Sequence, residues 1–169
     1  GAVSAYKRAL EIEPGNAVAT HSLARIALEA GKSEEARQWY QQTLDANPDH
    51  WQTMLAMADL EYRARRYGEA QQLLERAAQK HPAEPAVAVS LGRMHLGNNE
   101  ARKALTATDA ASKAAPAHAE LLQLRGAAYL ALGDAGNASA AYEQLAKVAP
   151  SADAHYRQAT VHAVGRNSK

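Results

Sequence analysis

Five of the six prolines in this chain, Pro14, Pro48, Pro82, Pro116 and Pro150, stand 34 residues apart without a slip. Proline lacks an amide hydrogen and its ring clashes with the preceding helical turn, so each one stops a helix that runs into it. A single globular core gives no reason for stops at a fixed interval. A stack of equal units, each too small to bury its own apolar face, does.

Rows of 34 residues beginning three residues after each proline start at Ala17, Trp51, Pro85, Ala119 and Asp153. In this frame position 20 is always alanine: Ala36, Ala70, Ala104 and Ala138, with Ala2 in the incomplete row before them. Position 8 is Ala24, Ala58, Gly92 and Gly126, and position 24 is Tyr6, Tyr40, Leu74, Thr108 and Tyr142. Position 7 is Leu23, Met57, Leu91 and Arg125. Within a row, Ala19, Leu23, Ile26 and Ala27 follow the i, i+4, i+7, i+8 spacing of one helical face, and Ala36, Trp39, Tyr40, Thr43 and Leu44 form a second run. Gly31 between them suits a helix C-terminus, Ser33 offers an N-cap, and Glu34 and Glu35 suit the first turn of the next helix. Each row therefore reads as two helices of about 14 residues joined by a tight turn and closed by proline. The small residues at positions 8 and 20 mark where the paired helices cross most closely. Ala70 is expected in such a crossing and Ala111 at a looser site.

The pattern resembles the tetratricopeptide repeat family, whose period is 34 residues and whose motif is W-x2-L-G-x2-Y…A-x3-F…P. The row "ELLQLRGAAYLALGDAGNASAAYEQLAKVAP" carries it best: Leu122, Gly126, Tyr129, Ala138, Tyr142 and Pro150 occupy motif positions, with Arg125 where the motif has leucine. The resemblance covers the whole chain and implies an all-α, right-handed superhelical solenoid of antiparallel helix pairs without β-strands. The expected organisation is a single array: 1–16 as the second helix of a truncated repeat, full repeats at 17–50, 51–84, 85–118 and 119–152, and 153–169 as the first helix of another. A chain cut inside repeats at both ends reads as a fragment. Its bare helix faces are expected to favour end-to-end self-association, with Asp153 to Gly165 docking on Ala138, Ala141, Tyr142 and Leu145.

Chemistry is hard to find. Cysteine is absent, which removes disulfides, thiolate metal sites and thiol catalysis together, and the net charge of +1 gives no pull toward nucleic acid. No apolar run approaches the roughly 20 residues of a membrane span. His50, His81 and His118 fall at repeat seams, and His155 and His162 have no third ligand at helical spacing. No metal, cofactor or catalytic constellation is expected. Asn137-Ala-Ser139 fits a glycosylation sequon but falls inside an expected helix.

Surface remains. The resemblance implies that first helices line a concave groove through positions 2, 5, 9, 12 and 13 of each row. The candidate groove residues are His21, Arg25 and Leu28, then Leu55, Asp59, Tyr62 and Arg63, then Val89, Arg93 and Leu96. Position 12 gives an apolar stripe of Leu28, Tyr62, Leu96 and Leu130 flanked by arginines. Glu29, Asp59 and Glu120 are the few acids nearby, so a mildly positive field is expected. The partner this suggests is a protein or peptide segment bearing a carboxylate beside apolar side chains. Chaperone-binding members carry a Lys–Asn–Asn clamp, and its places here hold His21, Arg25 and Ala56, or Leu55, Asp59 and Ser90. Arg125 is expected to snorkel outward or to pair with a carboxylate such as Glu120. The alanine-rich style of "LLQLRGAAYLALGD" resembles bacterial tetratricopeptide proteins of exopolysaccharide assembly and export. That likeness implies a periplasmic scaffold and an acidic polysaccharide as partner; without it the expectation is cytoplasmic. A regulatory arm of a larger enzyme is the third reading.

Overall fold

The structure is a computed structural model that describes residues 1–150 and Val161. The described residues form nine α-helices and no strand. They divide into two compact units, Gly1–Lys80 and a second beginning at His81. Unit 1 holds α1 (Ala2–Ile12), α2 (Ala17–Glu29), α3 (Ser33–Ala46), α4 (Trp51–Arg63) and α5 (Tyr67–Lys80). Unit 2 holds α6 (Pro85–Gly97), α7 (Ala101–Ala114), α8 (Ala119–Ala131) and α9 (Ala135–Val148). Helices of 13 and 14 residues alternate from α2 onward, as the rows require.

Every pair packs through its smallest side chains. Ala24, Ala36, Ala70, Ala104 and Ala138 are all 0% exposed. At Gly126 an added Cβ would meet the Tyr142 ring at 2.7 Å, and at Gly92 it would meet Leu124 at 3.0 Å and Thr108 at 3.2 Å. Glycine thus makes room for a large side chain on the facing helix. Leu10, Ala19 and Leu23 form a core cluster in unit 1 with Tyr6, Ala9 and Trp39 packed on it. In unit 2 one cluster joins Ala88, Val89, Ala104, Ala111, Leu121 and Leu124, and another joins Leu122, Ala138, Tyr142 and Leu145 with Val161.

The helices end in two ways. α1, α3, α7 and α9 stop before a proline, and the residues that precede it, Glu13, Asn47, Ala115 and Ala149, have φ between −133° and −139°. That is the extended bias proline imposes on its predecessor. α2, α4, α6 and α8 instead close in a Schellman turn, whose next residue sits in the left-handed region: Gly31 (φ 73°), Arg65 (φ 62°), Asn99 (φ 60°) and Gly133 (φ 75°). The paired hydrogen bonds repeat each time, as in Gly31 N–H to the Leu28 carbonyl at 3.0 Å and Lys32 N–H to the Ala27 carbonyl at 2.8 Å.

Some expectations change. Ser33 is the first residue of α3 and not its cap; Lys32 holds the cap position and makes no side-chain cap bond, because its ammonium has no lone pair with which to accept one. Ala111 is not loose: it is 0% exposed inside a core cluster. Of the expected final helix, Asp153 to Gly165, only Val161 lies within the described residues, helical and 1% exposed in the cluster with Ala138, Tyr142 and Leu145. His155 and His162 lie outside them.

Candidate functional site

In unit 1, α2 and α4 bring together most of the expected groove residues. A cavity of about 390 Å³ opens between them and α3. Leu28, Ala56, Leu60 and Ala64 give it an apolar wall, and Ser33, Tyr40, Asp59 and Arg63 supply polar atoms. Asp59 and Arg63 sit one helical turn apart and pair at 2.9 Å, with side chains 60% and 76% exposed. An ion pair this exposed contributes little, so a ligand carboxylate can displace Asp59 at small cost. Tyr40 is buried, and burial followed by the charge of Asp59 raises its phenol above the ordinary value. Beside the cavity's Arg63, Tyr62 packs edge-to-face on Tyr67 at 5.1 Å, and both rings are exposed.

The remaining expectations divide. Leu55 is half-buried and not part of the cavity lining, while Arg25 is exposed and paired with Glu29 at 2.7 Å. His21 faces inward instead: its Nε2 lies 2.6 Å from Thr53 Oγ1, and its ring meets Tyr40 edge-on at 5.1 Å. In unit 2, Val89 is core at 3% exposure, since position 5 of that row faces α8 rather than solvent. Leu96 is half-buried against the same cluster. Arg93 is exposed and pairs with Glu120 at 2.8 Å. The expected positive surplus is therefore absent: Arg25, Arg63 and Arg93 each face one of the three acids near them.

Two charged groups outside the groove reading, one buried and one half-buried, are held between helices. Glu61, with its side chain 1% exposed, accepts from Arg37 Nε at 2.6 Å and from Arg66 Nε. Burial alone would raise its carboxyl, but the Arg66 and Arg37 hydrogen bonds outweigh it and hold the group below the ordinary value. Position 11 reads Ala27, Glu61, His95 and Tyr129, so a charged residue on a helical core face was the visible signal. Arg125 pairs with a carboxylate, as one of the two expectations had it, but with Asp109 and not Glu120. Its Nη1 donates to the Leu105 carbonyl at 3.0 Å, Thr108 Oγ1 at 2.9 Å and Asp109 at 2.7 Å, and Nη2 reaches the Tyr129 hydroxyl at 3.2 Å.

A second cavity, of about 420 Å³, lies in unit 2 between α7, α8 and α9. In unit 1 the corresponding seams are braced: Gln42 donates to the Pro14 carbonyl and Arg76 to the Pro48 carbonyl. Among the described residues Gln144 makes no such bond to Pro116, and Ser112 Oγ in the same cavity is buried without a partner. No group of three or more His, Asp or Glu side chains able to hold a metal occurs among the described residues, and no helix there is long and apolar enough to cross a membrane.

With helix pairs, small-residue crossings and proline seams in place, the class is set by two family models. Both are described as tetratricopeptide repeat; one matches residues 1–58 and 61–128, the other 119–152. The chain belongs to the tetratricopeptide repeat family. No curated protein sequence matches it. Solved structures share the fold. MamA is 18% identical with a TM-score of 0.73, over 86% of this chain and 80% of that one. YrrB, described as a tetratricopeptide repeat protein with an unusual peptide-binding site, is 18% identical with a TM-score of 0.76, over 98% and 86%. A tetratricopeptide repeat protein from Parabacteroides merdae is 17% identical with a TM-score of 0.77, over 88% of this chain and 59% of that one.

Proposed function

We propose that the chain is a non-catalytic interaction scaffold, and that unit 1 holds an extended peptide between α2 and α4. The cavity lined by Leu28, Tyr40, Leu60 and the Asp59–Arg63 pair carries this reading. Its volume of about 390 Å³ suits one or two side chains of a ligand. Its apolar wall takes an aliphatic or aromatic residue. Arg63, released from Asp59, takes a neighbouring carboxylate through a charge-assisted pair. Asp59 is then free to accept from a ligand backbone amide. Tyr62 and Tyr67 offer exposed rings for the next residue, and tyrosine is enriched among residues that dominate binding energy. The family itself supports a scaffold, and YrrB shows that a related fold carries a peptide site.

The test is selection of a random peptide library on the purified chain. Enriched sequences should pair an apolar residue with Asp or Glu. Arg63→Glu and Tyr62→Ala should each weaken a selected peptide at least about tenfold, which is about 1.4 kcal/mol. Arg76→Glu with Lys80→Glu, on α5, should leave it unchanged. The opposite ranking refutes the cavity as the site. Enrichment of nothing, with retention of an acidic polysaccharide by the same arginines, would favour the export reading.

A further inference from the structure

Next to the peptide cavity of unit 1, side chains from α2 and from the start of α4 converge on one hydroxyl. Thr53, 0% exposed, lies with its Oγ1 2.6 Å from His21 Nε2 and 2.8 Å from His50 Nδ1. His50 is the N-cap of α4, and its Nδ1 also accepts from the Thr53 amide at 3.3 Å. The amide contact assigns the hydrogens. An atom that accepts from an amide carries a lone pair, so His50 Nδ1 is bare and its ring hydrogen is on Nε2. The Thr53 hydroxyl then donates to His50 Nδ1. Its oxygen is left to accept, so His21 Nε2 carries the hydrogen and donates to it. The chain of donation runs His21 to Thr53 to His50, and it ends on the cap of the helix that carries Asp59 and Arg63.

Resting on the peptide reading of that cavity, we propose that the His21–Thr53–His50 relay makes the site release its ligand on acidification. Both rings can gain a proton only at Nδ1, and each gain damages the site. On His50 the proton removes the lone pair that caps α4 and sets an N–H against the Thr53 amide. The hydroxyl must turn over and the first turn of α4 loses its side-chain cap. On His21 it places a cation in a half-buried corner, with the His50 ring 5.9 Å away and the Tyr40 ring 5.1 Å away. Tyr40 lines the cavity, so movement of His21 is felt there.

The contacts of the His21 and His50 rings are with Thr53, Tyr40 and each other. From α4 the acid on this side is Asp59, whose charge is felt at Tyr40 and whose pair with Arg63 is exposed. Asp49, beside the cap, pairs with Lys80. From α3 the group that faces His21 is the Tyr40 phenol, and on the α1 side Tyr6 packs on the Leu10–Leu23 cluster. On α2 itself Glu29 is held by Arg25. Burial, then the neighbouring His50, holds His21 below the ordinary imidazole value of 6.5. The sign follows. Below that value the unfolded or opened chain binds protons that the closed site refuses, so the closed site loses stability as pH falls. In unit 2 the buried His95 faces a carboxylate instead, Glu100 at 2.8 Å.

The experiment compares the full chain with the double variant His21→Gln and His50→Asn. Glutamine keeps an N–H donor, and asparagine keeps a cap acceptor that does not titrate in this range. A peptide selected on the chain is titrated at about pH 7.5 and about pH 5.5, and ring nitrogens are followed by NMR. The chain should bind about tenfold more weakly at the lower pH, the double variant should show no such loss relative to its own neutral value, and His50 Nδ1 should be unprotonated at neutral pH. An equal loss in both proteins, no loss in either, or a hydrogen on His50 Nδ1 at neutral pH overturns the relay. If no peptide binds at neutral pH, the peptide reading fails by itself. The relay is then decided by the ring nitrogens and by whether acid lowers the melting temperature of the chain more than that of the double variant.

Discussion

Each unit packs one charged residue between its helices, fully buried in unit 1 and half-buried in unit 2, and the two are held in opposite ways. In unit 1 an acid on α4, Glu61, is clasped by Arg37 from α3 and Arg66 at the start of α5. In unit 2 a base on α8, Arg125, is held by a carbonyl, a hydroxyl and an acid of α7 and by Tyr129 of its own helix. The two positions, 11 and 7, lie one turn apart on one helical face. The repeat frame therefore dictates where backbones cross, while the volume left between successive helix pairs is filled case by case. Position 24 and position 7 of the following row show it. Tyr40 precedes Met57, whereas the short Thr108 leaves room that the long Arg125 enters.

Removing the two charges should separate the units most. Glu61→Ala leaves two arginines without their acceptor. They are 42% and 35% exposed, so the cost falls at the low end for a broken buried pair, about 3 kcal/mol. Arg125→Ala should cost about 1–2 kcal/mol, because most of its partners are neutral. Chemical denaturation at neutral pH measures both. The pH dependence sharpens the contrast. Glu61 is held below its ordinary 4.5, so its contribution is present above that value and lost as pH falls through the lower folded one. Glu61→Ala should abolish this acid-side loss, and Arg125→Ala should not.

Overpacking comes next. Gly126→Ala drives a Cβ into the Tyr142 ring and should cost about 1–3 kcal/mol. Ala70→Leu and Ala111→Leu should each cost a similar amount, about 1–3 kcal/mol, one in each unit. A much smaller melting shift for Ala111→Leu would mean that unit 2 is packed more loosely than its 0% exposure implies.

Backbone relief at the turns is smaller and has the opposite sign. Arg65 occupies a left-handed position that Gly31 and Gly133 occupy in other repeats. Arg65→Gly should stabilise by about 1 kcal/mol, and Asn99→Gly by less because asparagine tolerates that region. Smallest of all, Arg25→Glu together with Arg93→Glu should change stability by no more than about 0.5 kcal/mol, since both pairs are exposed.

Period, crossings and proline seams were all legible because each obeys a rule local to one row. Ala36 and its counterparts must be small in every repeat, and Pro48 stops a helix wherever it stands. The candidate site was legible only in part. Leu28, Asp59, Tyr62 and Arg63 face outward as the helical period requires. Val89 shares the row position of His21 and Leu55 yet is core, because burial there depends on the neighbouring helix and not on phase. The arginines were visible, but their pairing with Glu29, Asp59 and Glu120 is set by rotamers and helix spacing. The Schellman turn at Arg65 was hidden because arginine does not advertise a positive φ as glycine does, while Asn99 was the weaker signal of a residue that tolerates that region.

Binding of an extended peptide between α2 and α4 of unit 1 can be read by chemical-shift mapping with a selected peptide. The largest shifts are expected at Leu28, Tyr40, Asp59, Leu60, Tyr62 and Arg63, with slight change at Arg76 and Lys80. Shifts concentrated on α3 and α5 around Arg37, Gln72 and Arg76, with Tyr40 and Arg63 unmoved, would contradict it.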